Sequence, residues 1–329
     1  MSVTFAQTET PEDEARHGAN LAATRVPFRR IYVVANPNSG QNSRTREPIE
    51  AALNVFGDEA KLYRWEPDHE VSETVDRAIA DGAELIVAAG GDGTVMAVAQ
   101  AMLGKGVPMA VLPLGTFNFY ARGLRFSEDA TEAAQQILKG ETREIQVGSV
   151  DGRVFLNNAS LGIYPKILKA REAIYARWGR HRMVAYWSVI RTFLKFQKPM
   201  KVDFQTEDLA DTRATPLIFV ARSAYQLDFF GLRGARAITD DKFAVLIAKG
   251  ENRMQLFRLA WRLVTRQVRE GRDYDVLRCR EFTVGLRGKR RALLAFDGEK
   301  ARMESPFAFR MHPDLLTIVL PEEKEQEAA

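Results

Sequence analysis

The sequence predicts an α/β protein with an N-terminal doubly wound α/β domain and a C-terminal antiparallel β-sandwich domain. Residues 29–142 alternate apolar, strand-like runs with amphipathic helical stretches, which is typical of βαβ units. Residues 143–321 instead carry many short β-rich runs separated by turn residues. The polar residues 1–28 are predicted to form a disordered leader, and residues 322–329 an acidic tail.

Strands and helices alternate along the first domain. The apolar runs that predict its strands are residues 30–35, 61–65, 85–89 and 108–113. The stretches that predict its helices are residues 45–56, 71–81, 95–103 and 130–138. Pro48 near the start of the first helix and Gly82 at the end of the second favour these boundaries.

The second domain is predicted to consist of short strands with two helical interruptions. Its strand-like runs are residues 143–150, 153–159, 200–205, 214–222, 243–249, 281–286, 292–296, 307–311 and 317–320. The helical interruptions are residues 166–201 and 251–272. Short strands at this spacing favour a sandwich over a continuation of the parallel sheet.

A glycine-rich turn, residues 90–94 (GGDGT), connects a buried strand to a helix. Glycines let the backbone approach a ligand closely, and the helix that follows presents free N–H groups to a phosphate. Asp92 adds a carboxylate of the kind that binds Mg²⁺. Taken alone, the turn could equally be an ordinary strand-to-helix connection.

Two further strands of the first domain end in similar loops. In an open α/β sheet, such loops meet at the carboxyl ends of the strands, where ligands bind. We therefore predict that the three loops surround one nucleotide. The predicted contacts are Asn36, Pro37, Asn38, Ser39 and Gly40, then Gly91, Asp92, Gly93 and Thr94, and finally Gly115, Thr116 and Asn118.

Positive charge is concentrated in the two helical interruptions of the second domain. Residues 166–201 carry ten Lys or Arg against one acid, and residues 251–272 carry six Arg against two acids. Basic helices with aromatic residues are typical of helices that lie on an anionic membrane surface. The alternative is that their apolar faces cover the sandwich while the charges are solvated. Nucleic-acid binding is disfavoured because no recognition motif accompanies the charge.

Several classes of protein are excluded by the sequence. No apolar run approaches the length of a membrane-spanning helix, and residues 1–28 lack the apolar core of a secretory signal. Cys279 is the only cysteine, so an intrachain disulfide is impossible, which fits a reducing compartment. The four histidines lack metal-ligand spacing, and no P-loop motif is present. The expected location is the cytoplasm, peripherally at the inner membrane face.

Four motifs resemble the diacylglycerol kinase catalytic-domain family, which includes sphingosine and ceramide kinases and bacterial lipid kinases. They are NPNSG at 36–40, GGDGT at 90–94, LPLGTFNFYAR at 112–122 and FDGE at 296–299. GGDGT alone also resembles NAD kinase, but the LGTxN segment and the late DGE favour the lipid kinases. The resemblance covers about residues 29–321.

The resemblance implies ATP in a cleft between the two domains and Mg²⁺ beside its phosphates. It implies that Glu299 accepts the proton of the acceptor hydroxyl, that Asp297 supports Glu299 and that Asp92 lies near the metal. Bacterial members also hold a structural Mg²⁺ near a DDG turn, which implies Asp241 as a metal ligand. The sequence departs from the family pattern at Trp65, Met96, Ala97, Phe119 and Lys242.

The spacing of Asp297 and Glu299 leaves two conformations open. In an extended segment both carboxylates would point to one face, where their proximity would raise one pKa. Asp297-Gly298 is equally typical of a two-residue hairpin turn.

The favoured function is an ATP-dependent lipid kinase that phosphorylates diacylglycerol or a related long-chain lipid alcohol at a membrane surface. The alternatives are an NAD kinase-like enzyme with a soluble acceptor and a non-catalytic nucleotide or lipid sensor. The expected partners are a lipid substrate and an anionic membrane, with no nucleic acid. The oligomeric state is left open, with a homodimer as one alternative.

Overall fold

The first sheet is built from strands that the apolar runs predict. A computed structural model describes residues 28–36, 47–65, 70–165, 199–207 and 209–322. The first four strands are β1 (Ile31–Ala35), β2 (Lys61–Arg64), β3 (Leu85–Gly90) and β4 (Met109–Pro113). They pair in parallel in the order β2-β1-β3-β4. Because β1, β3 and β4 are buried along their whole length, helices must cover both faces of this sheet.

Five helices accompany these strands in the described part of the chain. They are α1 (Glu47–Phe56), α2 (Val71–Ala80), α3 (Asp92–Met102), α4 (Phe119–Gly123) and α5 (Ala130–Lys139). Helix α1 packs beside α5, and α2 packs beside α3. The alternation of parallel strands and covering helices confirms the predicted doubly wound α/β fold.

The last strand of the chain returns to the first sheet. Strand β5 (Glu141–Ile145) forms the edge of that sheet, and β18 (Leu316–Leu320) lies between β4 and β5. Strand β18 runs parallel to β4 and antiparallel to β5. The predicted extent of the second domain, residues 143–321, is therefore corrected at its end, because residues 316–320 complete the first sheet.

Two antiparallel sheets form the second unit. Its strands are β6 (Gly148–Val150), β7 (Arg153–Phe155), β8 (Asn158–Gly162), β9 (Met200–Gln205), β10 (Ala210–Thr215), β11 (Leu217–Ala221), β12 (Phe243–Ala248), β13 (Tyr274–Cys279), β14 (Glu281–Leu286), β15 (Arg291–Phe296), β16 (Glu299–Glu304) and β17 (Phe307–Met311). One sheet has the order β10-β9-β14-β17-β6-β7, and the other has the order β13-β12-β11-β8-β15-β16. A shared apolar core, which includes Phe155, Phe243 and Phe282, lies between them and confirms the predicted sandwich.

Among the described residues, the second unit also contains the helices α6 (Ala224–Phe229), α7 (Ala235–Thr239) and α8 (Arg253–Val264). Helix α8 confirms part of the helix predicted for residues 251–272. None of the helices in the described ranges is both long and apolar enough to cross a bilayer. The greater part of the other basic stretch, residues 166–198, lies outside the described residues.

Candidate active site

The register of the first sheet brings the three predicted loops to one edge. Ala35 on β1 pairs with Ala89 on β3, and Ala89 pairs with Leu112 on β4. The chain therefore leaves these three adjacent parallel strands at the same level of the sheet. Asn36 follows β1 directly and is partly buried, whereas Pro37, Asn38, Ser39 and Gly40 lie outside the described residues.

The second and third loops pack backbone against backbone. A Cβ atom added to Gly115 would lie 2.4 Å from the Cα of Gly91, so only glycine permits this approach. The N–H of Leu114 also donates to the carbonyl of Gly90 at 3.0 Å. Residues 90–94 and 114–118 thus form one continuous backbone surface at the sheet edge.

Asn118 and Asp92 hold the third loop in place. The buried Asn118 adopts the left-handed conformation (φ 49°), and its side chain exchanges two hydrogen bonds with the backbone of Gly115. Asp92 is the first residue of α3, and its Oδ1 accepts a hydrogen bond from the N–H of Tyr120 at 3.0 Å. A carboxylate at the start of α3 therefore caps the start of α4.

The start of α3 is open to a ligand. Its N-cap residue, Gly91, has no side chain with which to bond the first N–H groups of the helix. A Cβ atom added to Gly93 would meet no atom within 4 Å, and Gly93 is exposed, as is Thr116 in the neighbouring loop. Thr94 is buried beneath the turn. The residues present therefore fit a phosphate group at this helix N-terminus.

Asp297 and Gly298 form a two-residue turn between β15 and β16. Both have positive φ, 45° for Asp297 and 94° for Gly298, and Phe296 pairs directly with Glu299 across the hairpin. The expectation of an extended segment with both carboxylates on one face is therefore wrong. An Asp-Gly pair suits the twist that a tight hairpin requires, and that preference decides the local conformation.

The carboxylate of Asp297 is held by three successive backbone N–H groups. The N–H of Leu156 donates to Oδ2 at 2.6 Å, and those of Asn157 and Asn158 donate to Oδ1 at 2.9 Å each. Burial nevertheless raises the pKa of Asp297 to about 6, and the negative charge of Asp92 adds to the rise. The two units also meet through α4, which packs against α6.

Glu299 opens β16 and is exposed. It directly follows the Asp297-Gly298 turn, whose aspartate carboxylate is held by the backbone of residues 156–158. Its role as proton acceptor stays a prediction.

The surroundings of Asp241 do not fit a structural metal. The guanidinium of Arg222, whose side chain is 9% exposed, donates to Asp241 Oδ1 at 2.7 Å and to the carbonyls of Gln146 at 3.1 Å and Ile238 at 3.3 Å. Within the described ranges, no three His, Cys, Asp or Glu side chains are grouped so as to hold a metal ion. The role of Asp241 as a ligand of structural Mg²⁺ stays a prediction, and the guanidinium that Arg222 places on its carboxylate disfavours it.

Several site residues were not singled out from the sequence. The amide of Asn158 donates to the side-chain oxygen of Gln226 at 2.9 Å, which ties the support of Asp297 to α6. The hydroxyl of Tyr120 is buried and has no hydrogen-bond partner among the described residues. In the sequence, the adjacent Asn157 and Asn158 at the start of an apolar strand were the feature that could have indicated these contacts to Asp297.

Comparisons with known proteins agree with this geometry. Residues 30–150 match the family model of the diacylglycerol kinase catalytic domain. A diacylglycerol kinase of Staphylococcus aureus (strain bovine RF122 / ET3-1) is 29% identical over 138 residues, which cover 41% of this chain and 44% of that protein. A probable lipid kinase YegS-like of Pseudomonas aeruginosa (strain UCBPP-PA14) is 34% identical over 140 residues, covering 42% of this chain and 46% of that protein.

The fold extends the likeness beyond the matched sequence. The crystal structure of a diacylglycerol kinase from Bacillus anthracis str. Sterne superposes with a TM-score of 0.63 at 15% identity, covering 90% of this chain and 98% of that one. The sequence matches span less than half the length of the curated relatives. The predicted resemblance is confirmed for the first unit, and the two-unit architecture is shared at the level of fold.

Proposed function

We propose that this chain, whose residues 30–150 match the family model of the diacylglycerol kinase catalytic domain, is an ATP-dependent lipid kinase. The acceptor is the hydroxyl of diacylglycerol or of a related long-chain lipid alcohol. One observation carries the proposal: the glycine loops of the first sheet leave their strands at one edge, and α4, which follows the third loop, packs against α6 of the sandwich unit.

The phosphates of ATP lie against the start of α3 in this proposal. The open side of Gly93 leaves room for them, and the first N–H groups of the helix supply hydrogen bonds and a partial positive charge. Asn36 and Thr116 border the same edge from the neighbouring loops. The sequence also predicts nucleotide contacts from residues 37–40, which lie outside the described residues.

Mg²⁺ would be held by Asp92. One oxygen of that carboxylate accepts the N–H of Tyr120, which fixes the side chain and leaves the other oxygen as the proposed metal ligand. When bound, the metal neutralises phosphate charge as it develops during transfer.

Glu299 acts as the general base. Its carboxylate takes the proton of the acceptor hydroxyl while the hydroxyl oxygen forms a bond to the γ-phosphorus of ATP. The bond between the γ-phosphorus and the β,γ-bridging oxygen breaks, and ADP leaves with that electron pair. Asp297, fixed by three amides, positions the hairpin from which Glu299 projects.

The exposed face of α8 supports an action at a membrane surface. Met254, Phe257, Trp261 and Val264 recur at helical spacing and are 55–79% exposed, although all four are apolar. The opposite face packs on the sandwich through residues that include Leu256. Arginines flank the exposed row along the helix, and such a face suits an anionic membrane.

Phosphate transfer in mixed micelles tests the proposal. We expect the wild-type chain to phosphorylate diacylglycerol with Mg²⁺ and ATP, and Glu299→Gln to lower kcat by at least about a hundredfold, as loss of a general base does. Glu304→Gln changes another exposed glutamate of β16 and should keep the wild-type rate.

The same assay discriminates the alternatives. Phosphorylation of NAD without any lipid product would favour the NAD kinase-like enzyme. Nucleotide binding without turnover on any lipid alcohol would favour the non-catalytic sensor. An unchanged rate in Glu299→Gln would reject the assigned base.

A further inference from the structure

Five aromatic rings gather where the LGTFNFY loop of the first unit meets α6 of the second. We call Phe117, Phe119, Tyr225, Phe229 and Phe230 the aromatic cluster. Phe119 is its centre: its ring centroid lies 5.6 Å from that of Phe117, 5.4 Å from that of Phe229 and 6.2 Å from that of Phe230. The rings of Tyr225 and Phe229 are 6.5 Å apart.

The aromatic cluster is only partly covered by the protein. Phe117 is 57% exposed and Phe229 is 41% exposed, and both belong to the same contiguous set of rings. Scattered apolar residues on a surface are ordinary, but a contiguous exposed aromatic patch marks a binding surface. The exposed faces of Phe117 and Phe229 are therefore available to bind an apolar ligand.

The position of the aromatic cluster limits what that partner can be. Phe117 stands between Thr116 and Asn118, two residues of the predicted nucleotide loop. An apolar group lying on the cluster would thus have its near end within one residue of the phosphate site. A molecule that offers a reacting hydroxyl at one end and a hydrocarbon chain at the other matches this arrangement.

The Phe229 side of the aromatic cluster lies near the C-terminal end of α8. The guanidinium of Arg266 lies over the ring of Phe229, 6.0 Å from its centroid, and Arg266 follows Val264, the last residue of α8, by two positions. The exposed apolar row of α8 ends at Val264, which is 79% exposed. The aromatic cluster thus lies between the phosphate site and the face proposed to contact the membrane.

We infer that the aromatic cluster binds the hydrocarbon chain of the acceptor lipid and makes the enzyme select long-chain acceptors. Phe117 and Phe229 are the residues that set this preference, and Phe119 fixes their rings. This inference rests on the proposed lipid kinase function, whose acceptor subsite it specifies.

Photo-crosslinking tests the subsite without requiring turnover. The probe is a diacylglycerol with a diazirine in one acyl chain, presented in detergent micelles. Trypsin releases the five rings in two peptides, residues 106–122 and 223–233, which mass spectrometry can identify. We expect label in these two peptides and its displacement by excess dioleoylglycerol. Label confined to other peptides, or labelling that dioleoylglycerol does not displace, overturns the inference.

Acyl-chain selectivity provides the second test. We expect Phe117→Ser and Phe229→Ser to lower the ratio of kcat/KM for dioleoylglycerol to kcat/KM for dihexanoylglycerol by about tenfold. Leu209→Ser, which alters another exposed apolar residue outside the cluster, should leave both values unchanged. Equal losses for the two chain lengths would overturn the inference.

The two tests separate the inference from the proposed function. If the wild-type chain transfers no phosphate to any lipid, the kinase proposal fails, and the crosslinked peptides still decide whether the cluster binds an acyl chain. Because Phe117 is mostly exposed, its replacement is expected to leave the fold intact, which thermal unfolding can verify. Concentration-dependent dimerisation that Phe117→Ser abolishes would instead assign the cluster to a second copy of the chain.

Discussion

The Cα of Gly91 and the Cα of Gly115 approach so closely that a Cβ on Gly115 would lie 2.4 Å from the former. This contact joins two loops that are distant in sequence into a single surface at the edge of the first sheet. The neighbouring Gly93 differs, because a Cβ there would meet no atom within 4 Å. The two glycines therefore allow the requirements of folding and of ligand binding to be separated.

We expect Gly115→Ala to lower the free energy of unfolding by about 2 kcal/mol or more, because backbone must move to admit the methyl group. Gly93→Ala should keep or slightly raise stability, since alanine is the better helix former. The same methyl group would obstruct the phosphate site, so Gly93→Ala should weaken ATP binding. Urea unfolding and calorimetric ATP titration measure the two effects. Normal ATP affinity in Gly93→Ala would contradict the assigned phosphate site.

The pKa of Asp297 provides a prediction about pH. Burial raises it from 3.8 to about 6, so between these values the folded state holds a proton that the unfolded state releases. The stability contributed by this group is therefore fully present below the unfolded pKa and is lost as pH rises through about 6. Carboxyl NMR titration of the protein without nucleotide or Mg²⁺ should show this value.

Asp92→Asn provides the matched test of that pKa. Removing the negative charge of Asp92 should lower the pKa of Asp297, while burial keeps it above the ordinary value. Asp76→Asn, which alters a surface carboxylate paired with Lys105, should leave the titration of Asp297 unchanged. An identical curve in the wild-type and Asp92→Asn proteins would show that the two units do not meet as described.

Arg222 leads to a prediction about metal removal. Its guanidinium donates hydrogen bonds to the carboxylate of Asp241 and to two backbone carbonyls. Because these oxygens already have a cationic partner, the fold should not need a divalent cation there. We expect EDTA to leave the Tm of the nucleotide-free protein unchanged. Arg222→Met should lower the free energy of unfolding by about 1 kcal/mol, because the partly buried carbonyls of Gln146 and Ile238 lose their donor. If EDTA lowers the Tm and Mg²⁺ reverses that change, a divalent cation does stabilise the fold and this expectation is wrong.

The exposed row of α8 predicts binding to anionic vesicles. The double variant Phe257→Ser and Trp261→Ser removes two large apolar side chains, so we expect affinity for phosphatidylglycerol vesicles to fall by at least about tenfold in sedimentation assays. Salt should weaken the binding of the wild-type protein, because arginines contribute to it. Leu209→Ser serves as the control, and equal binding by all three proteins would reject the membrane role of α8.

The first domain could be predicted from sequence because its signals are local. Continuous apolar runs give buried parallel strands, and glycines after them give the loops, so β1, β3, β4 and the GGDGT turn follow from neighbouring residues. The assignment of β18 could not be made this way. A run such as residues 317–320 has the same pattern in either sheet, and only its partners β4 and β5 decide where it lies.

The geometry of the candidate site was not predictable from the sequence. Asp297 and Glu299 have a spacing compatible with a strand or a turn, and nothing near them reveals that N–H groups of residues 156–158, some 140 positions earlier, hold the carboxylate of Asp297. The role of Arg222 was likewise hidden, since nothing near it in sequence reveals that its guanidinium reaches Asp241.

The return of β18 to the middle of the first sheet affects how the protein is made. A nascent chain that has emerged only as far as residue 150 contains β4 and β5 but lacks the strand that lies between them. Both strands would expose unpaired backbone edges until residues 316–320 have been synthesised, and such edges invite aggregation. Completion of the first sheet must therefore await residues 316–320, and a fragment comprising residues 30–150 alone should be a poor candidate for recombinant expression.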